Sequence, residues 1–195
     1  TLVATETTSG FDRATVLALA AAVEARSEHP LAHAIVTAAR GERLDVPPVE
    51  AFESQTGLGV SATVNGRQVV IGNAAQMQRV GVDPLAVEAL ADRRRREGAG
   101  VMLVAIDSTL AGLIAVADPV RPSARDAIAA LRREGLRVVM LTGDNVTTAD
   151  AVARAVGGLD DVRADLRPED KARIVAELKA KGARVAMAGD GINDA

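Results

Sequence analysis

The sequence predicts two architectures in one chain: a partial Rossmann-like α/β half with a parallel sheet, and an antiparallel-sheet α+β module inserted ahead of it. Three observations carry this. From residue 112 onward, short apolar runs bounded by glycines alternate with helical stripes, the pattern of strands covered on both faces. Asn65-Gly66 separates two short β-rich runs, a strong hairpin signal. The 39 alanines, and the 20 arginines among 23 basic residues, supply good helix formers throughout.

In chain order, residues 12–25 and 31–40 read as helices interrupted by Ser27-Glu28-His29-Pro30. Residues 60–64 and 68–71 form the first hairpin. Helical turns at 73–80 and 85–97 lead to a second hairpin, 101–106 with 110–116, turning through Asp107-Ser108. The apolar run 112–117 also reads as a buried strand opening the α/β half. A helix follows over 121–134, with Ala124, Ala127, Ile128 and Leu131 on one face and Gly135 as its stop. Then come a strand at 136–141, a helix at 146–156, a helix from Pro168 to Gly182 and a strand at 183–188. That order predicts a doubly wound parallel sheet.

Composition excludes several functions. Net charge is −3, so no bulk positive field holds nucleic acid. Cysteine is absent, which removes disulfides, thiolate metal sites and a cysteine nucleophile. Phe11 and Phe52 are the only aromatics, so a bound base meets aliphatic surface, histidine and backbone instead of an aromatic clamp. No apolar run is long enough to span a membrane, and the start lacks the basic region of a signal peptide. Both ends read as cut, as in a soluble piece of a larger protein.

Chemistry concentrates at strand ends. Thr142-Gly143-Asp144-Asn145 follows the strand ending at Leu141, the edge where open parallel sheets bind ligands. The competing explanation is a helix cap by Asp144 or Asn145. Gly189-Asp190-Gly191-Ile192-Asn193-Asp194 follows the last strand; its two carboxylates suit Mg²⁺, and a plain Gly-Asp-Gly turn competes. Lys171 lies in Pro168-Glu169-Asp170-Lys171 at a helix start, where phosphate is favoured; a solvated surface lysine is the alternative.

Thr142-Gly-Asp, Pro168-x-x-Lys171 and Gly189-Asp-Gly-x-Asn-Asp194 resemble three motifs of the haloacid-dehalogenase superfamily, in the wording of its P-type ATPase branch. Ser27-Glu28-His29-Pro30, Gly57-Leu-Gly59-Val60 and Gly72-Asn73 resemble the nucleotide-binding domain of the heavy-metal-transporting P-type ATPases. The resemblance covers essentially the whole chain. It departs at one place: the phosphorylated Asp of the first motif is absent, and Thr1-Leu2 matches that motif's end, placing the Asp just before residue 1.

The resemblance implies a division into residues 1–8 (hinge and start of the phosphorylation domain), 9–112 (nucleotide-binding domain) and 113–195 (partial phosphorylation domain). It implies that Glu24 accepts from the adenine amino group and that His29 orients the nucleotide. Gly57 and Gly59 let backbone approach the phosphates, Val60 touches the base, and Gly72 and Asn73 lie near ribose and α-phosphate. Thr142 and Lys171 hold phosphoryl oxygens, Asp144 positions the site, Asp190 and Asp194 bind Mg²⁺, and Asn193 shapes that site. Asp118-Pro119 and the strand at 1–9 act as hinge crossings.

ATP and Mg²⁺ are the implied cofactors, with ATP bound weakly. The implied partners are the membrane helices and actuator domain of the same polypeptide and a transported metal bound elsewhere, without nucleic acid. The fragment is then a soluble, cytoplasm-facing part of a membrane protein, inactive alone for want of its nucleophile. The runs at 59–64 and Gly72-Asn73-x-x-x-Met77 lean towards copper, with export as the direction. The alternatives are a soluble phosphatase with an inserted cap domain and a nucleotide-binding module without catalysis.

Overall fold

A computed structural model describes residues 1–27, 31–117 and 120–189. The chain separates into two compact units, Thr1–Pro119 and Val120–Ala195.

In the first unit the elements run β1 (Leu2–Thr7), α1 (Arg13–Glu24), α2 (Ala32–Gly41), β2 (Val49–Gln55), β3 (Gly59–Val64), β4 (Arg67–Gly72), α3 (Ala74–Arg79), α4 (Leu85–Arg96), β5 (Gly100–Ile106) and β6 (Thr109–Val116). Asp12 starts α1 by accepting from the Thr15 amide at 2.9 Å, the usual satisfaction of a free helical N–H. Six strands form one antiparallel sheet in the order β1-β6-β5-β4-β3-β2. Both faces are buried. Ile71, Val104, Ile106 and Ile114 pack with Leu17 of α1 and Ile35 of α2, while Val70, Leu103 and Leu113 pack with Met77 of α3 and Val87 of α4. Covering on both faces explains why β5 and β6 are nearly continuous apolar runs.

Both predicted hairpins form. Asn65 and Gly66 have φ of 50° and 73°, the paired positive values of a type I′ turn. Asp107 and Ser108 adopt 50° and 60° without a glycine. Asp107 is held there by accepting from the Gln68 amide and the Arg67 Nε, each at 2.9 Å. Strand β2 was not foreseen. Glu50 and Glu53 and an irregularity in register at Ala51, whose φ is 49°, hide its period of two. The run 112–117 does not open the α/β half. It belongs to β6, paired between β1 and β5, with Ile114 in one core and Leu113 and Ala115 in the other.

The second unit contains α5 (Pro122–Arg133), β7 (Val139–Leu141), α6 (Val146–Val156), β8 (Asp161–Arg163) and α7 (Pro168–Ala180). Strands β7 and β8 pair in parallel across the α6 crossover, Val139 opposite Asp161. The chain is thus a mixed α/β structure with a large antiparallel and a small parallel sheet, but the parallel sheet is two-stranded among the described residues. Residues 183–188, predicted as a strand, form none. Three of the six are alanine, which offer little apolar area, and only Val185 is even half-buried. The β8 strand, in turn, was not predicted: at three residues, two of them charged, it carries no periodic signal. No helix among the described residues is long and apolar enough to cross a membrane.

Candidate functional site

In the first unit, Glu24 ends α1 only 3% exposed. Its Oε2 is buried with no hydrogen-bond partner among the described residues. Burial pushes its carboxyl up, against the opposing pull of a hydrogen bond from Ser27. His29, expected to stand beside it, lies outside the described residues, as do Glu28 and Pro30.

The turn from β2 into β3 carries Gly57 and Gly59. The Leu58 amide closes it by donating to the Gln55 carbonyl at 3.0 Å. Asn73 holds it from outside: its amide donates to the Leu58 carbonyl at 2.9 Å and its Nδ2 to the Gly57 carbonyl at 2.9 Å. The Asn73 Oδ1 accepts from the Gln76 amide at 3.0 Å, capping α3.

The glycines divide by role. Gly59 and Gly72 face each other in the β3–β4 ladder. A β-carbon on Gly59 would stand 2.6 Å from the Gly72 Cα and closer still to the Ile71 carbonyl; one on Gly72 would strike the Leu58 carbonyl and stand 2.9 Å from Gln76 Cβ. These two are glycine because the backbones cross. Gly57, at φ 76°, faces open space, with nothing within 4 Å of a β-carbon position. Open backbone of the kind expected for approach to phosphate is therefore at Gly57. Val60 points into the core, 6% exposed.

In the second unit, β7 leads into the Thr142-Gly143-Asp144 loop. The Thr142 hydroxyl donates to Asp144 Oδ2 at 3.0 Å and accepts from the Asp144 amide at 3.1 Å. Asn145 is the cap of α6, accepting from the Thr148 amide at 3.0 Å. Capping thus falls to Asn145 and leaves the Asp144 carboxylate to the loop. The loop is laced to the segment before α7: the Thr142 amide donates to the Arg163 carbonyl at 2.9 Å, the Leu166 amide to the Thr142 carbonyl at 3.1 Å, and the Asp165 amide to the Asp144 carbonyl at 2.8 Å. Asp165, at φ 53°, makes the corner. Asp170 then accepts from the Arg167 amide at 3.1 Å and closes the start of α7, with half-buried Lys171 next along. Thr142, Asp144 and the helix start bearing Lys171 are thereby gathered at one end of the small sheet.

Asp118, Pro119, Asp190, Asn193 and Asp194 lie outside the described residues. Among the described residues no three His, Asp or Glu side chains converge on a metal position. The orphaned Glu24 oxygen and the open Gly57 backbone do fit an adenine nucleotide. Sequence reading missed Gln55, Gln76 and Arg79 around the glycine turn, because their roles depend on β2.

Residues 1–195 match the family described as "Hydrolase: haloacid dehalogenase-like hydrolase". The chain belongs to that family. Within it, the chain is 50% identical over 188 residues to a copper-exporting P-type ATPase of Legionella pneumophila, covering 96% of this chain and 25% of that protein. Among solved structures, a zinc-transporting PIB-type ATPase is 38% identical with a TM-score of 0.65, covering 99% of this chain and 31% of the other. The catalytic domain of the CPx-ATPase CopB-B is 27% identical with a TM-score of 0.70, covering 97% and 66%. The haloacid-dehalogenase-like chain spans about a quarter of the length of the curated relatives it matches. The resemblance to heavy-metal P-type ATPases read from the motifs is borne out by these relatives.

Proposed function

We propose that this chain is the ATP-binding part of a heavy-metal-exporting P-type ATPase, with copper as the metal. The unit Thr1–Pro119 binds the nucleotide; the unit Val120–Ala195 belongs to the phosphorylation domain. In the whole membrane protein the chain faces the cytoplasm, and the γ-phosphate passes to an Asp ahead of residue 1, driving transport. The observation that carries the reading is the pairing, in one unit, of a buried Glu24 carboxylate, whose Oε2 has no hydrogen-bond partner among the described residues, and a turn whose Gly57 faces open space. The first is an acceptor suited to an exocyclic amino group, the second a backbone open to phosphate. The copper assignment is supported by the copper-exporting relative at 50% identity, whereas the similar zinc-transporting structure is 38% identical.

Glu24 accepts from the adenine amino group, and His29 orients the base and phosphates. Thr142 and Lys171 hold phosphoryl oxygens. Asp144 fixes the Thr142 hydroxyl. Asp190 and Asp194 would supply the carboxylates that hold Mg²⁺, whose charge would offset that of the phosphates, and Asn193 would shape their loop.

An amide-resolved NMR titration with ATP tests this, in the unaltered chain and in His29→Ala. Shifts clustered at Glu24, Gly57–Val60 and Asn73, and weakened in the variant, are the expected result. Shifts confined to Thr142, Lys171 and Asp190, reproduced by inorganic phosphate with Mg²⁺, would overturn it in favour of a soluble phosphatase.

A further inference from the structure

Helix α3 has six residues and is tied at both ends to one turn. At its start, Asn73 spends its side chain inside the protein, Oδ1 on the Gln76 amide and Nδ2 on the Gly57 carbonyl. At its end, Arg79 Nη1 donates to Gln55 Oε1, and the Gln55 carbonyl is the group that closes the turn through Leu58. Between them Gln76, 1% exposed, fills the space beneath Gly72, and Met77 is fully buried in the core below.

The consequence lies in the peptide planes. Gly57, with φ of 76° and no side chain, is free to rotate. A rotated Gly57 or Leu58 carbonyl would turn its negative end towards an approaching polyphosphate. Here both carbonyls accept from Asn73, so both face α3. Because a trans peptide sets N–H opposite C=O, the Gly59 amide is thereby aimed away from α3.

We infer that α3 is a clip that fixes these peptide planes, and that Arg79 and Gln55 are positioning residues for nucleotide binding. The inference rests on the nucleotide reading above. It also changes the part given to Asn73, which acts on the turn instead of reaching the ribose. The clip works by preorganisation: an ordered turn loses less freedom when ligand binds.

The test uses the 195-residue chain with Arg79→Ala and Arg79→Lys, followed by ATP titration calorimetry and by amide spectra without ligand. Arg79→Ala should weaken ATP binding about fivefold, the net worth of one ordinary hydrogen bond. It should also move the ligand-free Gly57, Leu58 and Gly59 amides and speed exchange at Leu58, with the melting temperature nearly unchanged because Arg79 is exposed. Arg79→Lys, which keeps a donor, should restore affinity to within about twofold. Unchanged ATP affinity in Arg79→Ala overturns the clip and leaves the nucleotide reading standing. So does weakened affinity with unmoved turn amides, which would make Arg79 a direct contact. Absence of ATP binding in the unaltered chain overturns both.

Discussion

Glu24 holds a carboxyl where water does not reach, and that choice has a cost that depends on pH. Its folded-state affinity for a proton exceeds the ordinary value of 4.5 because burial disfavours the charged form. The folded chain therefore binds more protons than the unfolded chain once pH rises above that ordinary value, and stability falls through the window up to the raised folded pKa. Below the ordinary value the cost vanishes. Glu24→Gln removes the titration while keeping an acceptor. The variant should melt with the unaltered chain near about pH 4 and above it at about pH 8. A melting series across that range checks it; a constant offset at every pH would mean packing, not ionisation, sets the difference. The glycines give a second prediction at this scale. Gly59→Ala or Gly72→Ala forces a β-carbon into the opposite backbone and should cost about 3 kcal/mol or more. Gly57→Ala meets open space and pays only for its left-handed backbone, about 1–2 kcal/mol. Urea titrations of the three variants should separate into these two groups.

At the scale of elements, the second hairpin is the instructive case. Its turn uses Asp107 and Ser108 at positive φ, and Asp107 earns its place through the Arg67 and Gln68 bonds. Ser108 has no such bond among those described, so Ser108→Gly should raise stability by about 0.5–1 kcal/mol, relief of left-handed strain minus added freedom in the unfolded chain. Thermal melts of the variant check it. The same element shows what the sequence made legible. Both hairpins and the stripe of α5 were readable because each depends on residues within a few positions of one another. Strand β2 was not, because its bulge at Ala51 breaks alternation and its charges mask an edge. The 183–188 run misled because apolar character says that a segment can be covered, not that a neighbour is there to pair with it. At the site, Thr142-Gly-Asp was legible as a loop after a strand. Its lacing to Asp165 and Leu166 was not, since it requires β8 beside β7. Arg79 and Gln55 gave no signal for the same reason: their partnership exists only once β2 and α3 are brought together.

Across the whole molecule the two units differ in how much core they own. The first has two clusters, one on each face of its sheet. In the second, Thr148 and Ala149 are the only buried residues described, α5 buries none, and Leu131, Leu136, Val146 and Met187 are 43–56% exposed. Since burial of apolar area is the main favourable term in folding, opening free energies should follow the same division. Native-state hydrogen exchange should find the slowest amides in β5 and β6, and fast exchange through α5 and α7. ATP extends the test. A ligand that binds only the folded form stabilises by RT ln(1 + [L]/Kd), about 1.4 kcal/mol at ten times Kd. Under the proposed assignment that increment slows exchange, about tenfold, in the globally protected amides of β4, β5 and β6, because the nucleotide contacts lie in that unit. Added ATP that slowed exchange around β7, β8 and α7 while leaving β4 to β6 unchanged would place its binding at the Thr142–Lys171 end and defeat the assignment. The onset is also diagnostic: if binding without an aromatic clamp is as weak as the sequence leads us to expect, protection should begin only at ATP well above the micromolar scale and then grow in proportion to its concentration; onset at micromolar ATP would contradict weak binding.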